Sequence, residues 1–445
     1  MSERRPIARA GRLASLTAVG LLVLLALAAA VPWFAPSEIG VAHRLAAIGI
    51  FSASYLALAI GKVPGLSIDR AGVALVGACL MVASGVMTID DAYHAVDFNT
   101  ITLLLGMMIV VANLRLSGFF ALATAWIARR AHRPLLLLVA IVGVSGVFSA
   151  FLVNDAICLV MAPLVLELTI GLRRNPVPYL LAVAMASNVG SVATITGNPQ
   201  NMMIGSFSGI PYTAFVAALT PVAVVGLLLT AALLVLLHRD ELRGERLVPR
   251  LPRVRVNRVL VVRSLLATGL VVALFFVGQP PAKAAIVVGA LLLLTRRVKS
   301  ARVYAEIDWS LLLMFTGLFI IVAGAERELL GPRAIEAVGR LHLADVPVLS
   351  AVTAVLSNLV SNVPAVLLLK PFVAALPEPH LAWLVIAMAS TLAGNFTVLG
   401  SIANLIVVEK AARRGVVIRF WDYFRVGAPL TALTLVCGTL WLMWR

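Results

Sequence analysis

The sequence predicts an all-α polytopic membrane protein with about eleven transmembrane helices and two re-entrant hairpins, arranged as an inverted-topology repeat. Three observations carry that expectation. The first is composition: 61% of the 445 residues are hydrophobic, 13% are charged, and the mean hydropathy is +1.03, whereas a soluble domain is near half apolar and about a quarter charged. The second is a motif that occurs twice: Val153 to Pro163 reads VNDAICLVMAP, and Ser361 to Pro371 reads SNVPAVLLLKP, with the same spacing from Asn to Pro. The third is a longer match. AVAMASNVGSVATITGNPQNMMI from Ala182 lies over VIAMASTLAGNFTVLGSIANLIV from Val385 at a constant offset of 203 residues. Shared Ser, Thr, Asn and Gly positions within apolar sequence are harder to obtain by chance than shared Ala or Leu.

About 20 apolar residues cross a bilayer. On that ruler, spans fall at 14–34, 42–61, 71–87 and 99–117, followed by an apolar pair at 135–172 and spans at 179–207 and 215–237. A stretch with eight arginines, 239–263, separates these from spans at 264–278, 283–295 and 308–324, a second apolar pair at 346–376, and spans at 381–409 and 425–443. The opening MSERRPIARAGR resembles the start of a signal peptide. The apolar run from Leu13 to Phe34 is long, however, and lacks a small-residue cleavage site before Pro32, which favours a first helix. The organisation is therefore a tail and first helix at 1–40, a first repeat at 41–238, the arginine-rich cytoplasmic loop, and a second repeat at 264–445.

A net charge of +16 would suggest nucleic acid in a soluble chain. Here the basic residues sit in short loops between apolar runs, so they orient the chain instead. With Arg4 and Arg5 inside, the basic loops all fall on the cytoplasmic side only if 135–172 enters and leaves from that side and 346–376 from the other. That places the N-terminus in the cytoplasm and the C-terminus outside. Cys79, Cys158 and Cys437 lie in apolar runs without paired spacing and read as packing residues. There is no HExxH motif, Cys/His cluster or Walker A sequence, so neither a metal enzyme nor an internal ATPase is expected.

The motifs carry the functional expectation. An Asp at membrane depth costs roughly 2.5–3.5 kcal/mol on insertion scales and normally faces protein, water or an ion. Asn154 and Asn362 sit where a re-entrant segment would turn, and Ser361 precedes the second of them. An Asn there caps a half-helix, contacts a solute, or does both. Asp155 has the neutral Val363 as its counterpart, so charge is asymmetric between the motifs. It suits proton coupling, sodium coupling, or a structural ion pair, for instance with Lys370. The segments TGNPQN (Thr196, Gly197, Asn198, Asn201) and LGSIAN (Gly400, Ser401, Asn404) place helix-breaking residues at matching positions in both halves, with Asn395 nearby. Matched broken helices are the best sequence pointer to a transporter site. Sodium, if it is the coupling ion, would be held at Asn154, Asp155 and Asn198.

With FLVNDAICLVMAP, GNPQN, SNLVSNVPAVLLLKP and AGNFTVLGSIANLIVVEKA in view, the chain from about 40 to 440 resembles the ion transporter superfamily with the citrate-transporter-like domain. That group includes arsenical pump membrane proteins, plant silicon efflux transporters and divalent anion–sodium symporters. The resemblance implies a homodimer whose protomers each hold a scaffold and a mobile transport domain with both hairpins, an elevator-type transporter. The dicarboxylate branch carries Ser-Asn-Thr at both tips; here they read Val153-Asn154-Asp155 and Ser361-Asn362-Val363, which favours the arsenite and silicon branch. The expectation is a secondary active transporter of a bacterial inner membrane, without enzymatic activity or a cofactor. It would exchange a small oxyacid or anion for H+ or Na+. The alternatives are a sodium-coupled carboxylate or sulfate importer and a passive membrane subunit of an ATPase-driven pump.

Overall fold

The computed structural model describes residues 39–60, 68–243, 256–294, 298–329 and 342–445. The expected first helix at 14–34 and residues 244–255 of the arginine-rich loop lie outside these residues. Every regular element among the described residues is helical.

The longer helices follow the apolar runs. α1 is Ile39–Ile60 and α2 is Arg70–Ala83, the latter capped by Asp69, which accepts from the Gly72 amide at 2.8 Å. α3 is Phe98–Ser117, α4 Phe119–Arg130, α5 Pro134–Leu152 and α6 Asn154–Gly171. α7 is Pro176–Ser191, α8 Pro199–Ser208 and α9 Tyr212–Leu237. α10 is Arg258–Phe276, α11 Pro281–Leu293 and α12 Trp309–Leu329. α13 is Val346–Val360, α14 Asn362–Val373, α15 Pro379–Ala393, α16 Ile402–Ala412 and α17 Phe420–Trp444. Proline stands at the start of α5, α7, α8, α11 and α15, where a missing N–H removes no helix bond.

Among the described residues, eight helices are long and apolar enough to cross a membrane: α1 (over Gly40–Ile60), α3, α5, α6, α9, α10, α12 and α17. α2, α11, α13, α14 and α15 are apolar but shorter. Among these longer helices one was not expected. α4 falls between predicted spans, because its 12 residues are too few for the 20-residue ruler. Its buried residues Phe120, Thr124, Ile127 and Ala128 nevertheless keep helical periodicity, and Arg129 and Arg130 suit its C-terminal dipole. The expected spans 179–207 and 381–409 are each interrupted. α7 gives way to a 3-10 turn at Ile195–Gly197 before α8, and α15 to one at Val398–Gly400 before α16.

The described chain packs as two compact units. They interleave along the sequence, a partition by packing that differs in kind from the two sequence repeats. The first unit comprises Met1–Ile101, Asp308–Leu343 and Leu359–Ala375. In it α12 lies so close to α2 that a methyl group on Gly317 would stand 2.5 Å from the Ala74 backbone. α14 is tied to this unit at both ends. The Tyr55 hydroxyl donates to the Pro364 carbonyl at 3.3 Å, and Lys370 lies 3.8 Å from Glu326.

The second unit comprises Thr102–Ile307, Ala344–Asn358 and Leu376–Arg445. Gly106 of α3 meets the backbone of α11 at Ala285 and Ile286, a contact of the kind Gly317 makes in the first unit. α5 and α7 cross at Gly146 and Gly190, where a methyl group on Gly190 would overlap Gly146. α6 packs between α7 and α16, so the inner face of this unit carries both broken segments and the start of α6.

Candidate functional site

Both duplicated motifs open a helix without a proper cap. Between α5 and α6 a single residue, Val153, turns the chain at φ 64° and ψ 114°. Between α13 and α14 it is Ser361, at φ 76° and ψ 160°. Neither makes a side-chain cap bond. Positive φ is rare for residues other than Gly and strained for a β-branched Val; such strain clusters at functional sites. An uncapped first turn leaves backbone N–H groups facing the junction, where they favour an anion or a polar oxygen. Asn154 and Asp155 lie in that first turn of α6; Asn154 is only 3% exposed. Asn362 opens α14 in the same way, but with Ser361 it belongs to the other packing unit.

The broken segments are built alike, residue for residue. Asn201 donates its amide hydrogens to the Ser191 and Thr194 carbonyls at 3.1 and 3.0 Å; Asn404 donates to Gly394 and Thr397 at 2.7 and 3.1 Å. Each Asn thus satisfies carbonyls that its 3-10 turn frees from the helix ladder. Asn198 caps α8 by accepting from the Asn201 amide at 2.8 Å, and Ser401 caps α16 by accepting from Ala403 at 3.3 Å. Gly197 and Gly400 let the turns fold back on Ser191 and Gly394. Thr196 bonds the Tyr212 hydroxyl at 3.1 Å.

Each broken segment is also bound by the intact helix of the other. Thr391 on α15 accepts from Asn198 and Gln200, both at 3.1 Å. Asn188 on α7 donates to Asn395 at 2.9 Å and Asn404 at 3.0 Å, and accepts from Ser401 at 3.1 Å. Asn154 donates to the same Asn188 oxygen at 2.9 Å, joining the α5–α6 junction to this cluster. Asn154, Asn198, Asn201, Asn395 and Asn404 are all buried. The cluster therefore consists of neutral amides and hydroxyls with one carboxylate, Asp155, beside it in sequence.

Ten of the twelve residues singled out from the sequence lie in this one unit, and the two broken segments with Asn154 form a connected hydrogen-bond system. Sequence reasoning missed Asn188, Thr391 and Gln200. Asn188 and Thr391 occupy equivalent positions in the alignment at an offset of 203 residues, an Asn facing a Thr where the flanking Ala-Met-Ala-Ser is identical. That was the available signal. Among the described residues no group of His, Cys, Asp or Glu could hold a metal ion. An open cavity of about 630 Å³, lined by residues including Asp345, Glu378 and Arg445, lies at the far end of α15 from Asn395 and is not part of this cluster.

A helical chain with an uncapped, buried polar junction and two interrupted helices has the parts of a membrane carrier. The sequence model of the citrate transporter family matches residues 55–393. The chain belongs to the citrate transporter family. Within this family of membrane transporters, it is 30% identical to an uncharacterised transporter of Mycobacterium tuberculosis over 426 residues, covering 90% of this chain and 98% of the relative. It is 29% identical to a silicon efflux transporter of Oryza sativa subsp. japonica, covering 88% and 95% of the two chains. A putative arsB transporter of Dictyostelium discoideum is 24% identical, with coverage of 84% and 87%. In fold the chain is similar to the crystal structure of the YdaH transporter of Alcanivorax borkumensis, with a TM-score of 0.56 at 14% identity, covering 90% and 98%. This citrate transporter family member is thus a multi-pass membrane transporter.

Proposed function

We propose that this protein is a secondary active transporter that exchanges a small inorganic oxyacid or anion for protons or sodium, in the direction of efflux. The observation that carries the reading is the α5–α6 junction. There a buried Asn and an Asp begin a helix in the middle of apolar sequence, with first-turn amides left for an oxygen ligand. Asn154 meets the solute, and Asp155 carries the coupling ion. Asn201 and Asn404 brace the broken helices through carbonyls, so solute contact from them requires exchange of those bonds. Relatives named as a silicon efflux transporter and a putative arsB transporter favour an oxyacid over a carboxylate.

The inverted repeat belongs to the same proposal. Matching positive φ at Val153 and Ser361 and matching 3-10 turns support two halves of one design. At about 1.5 Å per residue, the 12 residues of α14 reach only ~18 Å of a ~30 Å hydrocarbon core, as a re-entrant arm would. We read 135–172 and 346–376 as hairpins entering from opposite sides of a bacterial inner membrane, within a homodimer that moves by elevator-type alternation.

The test is flux in proteoliposomes of arsenite, silicic acid, citrate and succinate under a pH or a sodium gradient, with Asp155→Asn as the variant. Oxyacid movement driven by the pH gradient and reduced at least about tenfold in the variant is expected, since the coupled step requires that carboxylate. Sodium-driven carboxylate uptake that survives the substitution overturns the reading.

A further inference from the structure

Asparagine side chains carry a donor end and an acceptor end, and which end faces a neighbour is fixed by what that neighbour offers. The polar cluster contains a chain of such choices that starts at the backbone. Asn404 turns its NH2 toward the Gly394 and Thr397 carbonyls, and Asn395 turns its own toward the Met185 carbonyl at 3.2 Å. Both therefore present Oδ1 to Asn188, whose NH2 donates to the two oxygens. Asn188 Oδ1 must then face donors, and it receives Ser401 Oγ–H and one amide hydrogen of Asn154. All four hydrogen-bonding positions of Asn188 are filled. The last amide in the chain is Asn154. Its NH2 is committed to Asn188, so its Oδ1 is an acceptor, buried and without a partner.

We propose that Asn188 is a positioning residue that holds Asn154 with its oxygen presented at the α5–α6 junction, and that the junction takes the hydroxyl-bearing form of an oxyacid rather than the fully ionised anion. The inference rests on the transport reading given above and specifies the chemical form of the solute. A buried acceptor that has lost its water needs a donor. The Asn154 and Ala156 amides in the first turn of α6 are donors outside the helix ladder and need an acceptor. A protonated oxyacid supplies both at once, an O–H for Asn154 Oδ1 and an oxygen lone pair for the amides. A fully ionised oxyanion has no O–H to give and would leave Asn154 Oδ1 unpaired.

The test uses the full chain in proteoliposomes, with arsenite as the hydroxyl-bearing probe and sulfate as the ionised one, in counterflow near neutral pH. Four proteins are compared: wild type, Asn154→Leu, Asn188→Leu and the double variant. Wild type is expected to move arsenite at least tenfold faster than sulfate. Each single variant is expected to raise the arsenite KM about tenfold or more. The double variant is expected to be no worse than either single, because Asn188 acts through Asn154. Effects that multiply in the double variant, an unchanged KM in Asn188→Leu, or a preference for sulfate overturn the proposal. If Asn188→Leu does not fold, Asn188→Ser carries the same expectation. The melting temperature of Asn154→Leu gives a readout that needs no solute. The substitution removes the unpaired acceptor together with the one bond to Asn188, so its melting temperature is expected to fall less than that of Asn188→Leu, which breaks four bonds; a fall as large as that of Asn188→Leu means that the oxygen is already satisfied and overturns the proposal. Failure of wild type to move either probe rejects these oxyacids as solutes and leaves the melting temperature to decide the amide orientation.

Discussion

Asn188 and Gly197 show how single positions set the polar cluster. Asn188 looks like an unremarkable polar residue in an apolar helix, yet it bonds both the α5–α6 junction and the broken segment after α15. Gly197 matters through what it lacks. A methyl group there would stand 2.1 Å from the Ser191 carbonyl oxygen, which is backbone and cannot rotate away. At Gly400 the equivalent approach to Gly394 is 2.8 Å. Gly197→Ala is therefore expected to destabilise by about 3 kcal/mol or more, at the upper end of overpacking effects, and Gly400→Ala by less. Melting of the purified protein in detergent checks the order; a Gly400 variant that melts below the Gly197 variant contradicts it.

Elements show where backbone strain is kept. Most helices end in ordinary ways, with Gly118 and Gly209 taking left-handed conformations at no steric cost. The α5–α6 and α13–α14 junctions instead place Val153 and Ser361 at positive φ. Ser361 at φ 76° and ψ 160° occupies a region reserved almost entirely for Gly, and such residues carry about 1–3 kcal/mol of strain. Ser361→Gly is expected to raise stability by about 1 kcal/mol, because part of the relief is offset by the greater freedom of Gly in the unfolded chain. Thermal unfolding measures it, and a lower melting temperature would show that the Ser side chain holds the junction. The position of both junctions was legible in the sequence, since Asn154 and Asn362 interrupt long apolar runs at the same distance from a Pro, and a helix starts readily at such a polar residue. The short helix α4 was not legible, because a span-length criterion passes over 12 amphipathic residues.

At the scale of the molecule, the expected orientation puts the C-terminus outside and the basic loops inside. An impermeant thiol reagent added to intact cells, with Cys79, Cys158 and Cys437 replaced by Ser, is expected to label a cysteine introduced at Arg445 and to spare one introduced at Arg243. The reverse pattern would invert the topology and, with it, the side from which each hairpin enters.

Sequence alone determined that the chain lives in a membrane, that two of its stretches match at a fixed offset, and that Asn154 and two interrupted helices place polar side chains within apolar sequence. Each of these follows from local rules: apolar runs of bilayer length, charges confined to loops, and helix breakers at a fixed offset. Only the tertiary structure decided which side chains meet. Asn188 lies 207 residues from Asn395 and 216 from Asn404, yet it bonds both. Hydrogen-bond partners at that separation are set by how helices pack, through close approaches such as Gly190 on Gly146, and not by the sequence on either side. The direction in which each amide points, and hence the unpaired oxygen of Asn154, is a property of that whole network.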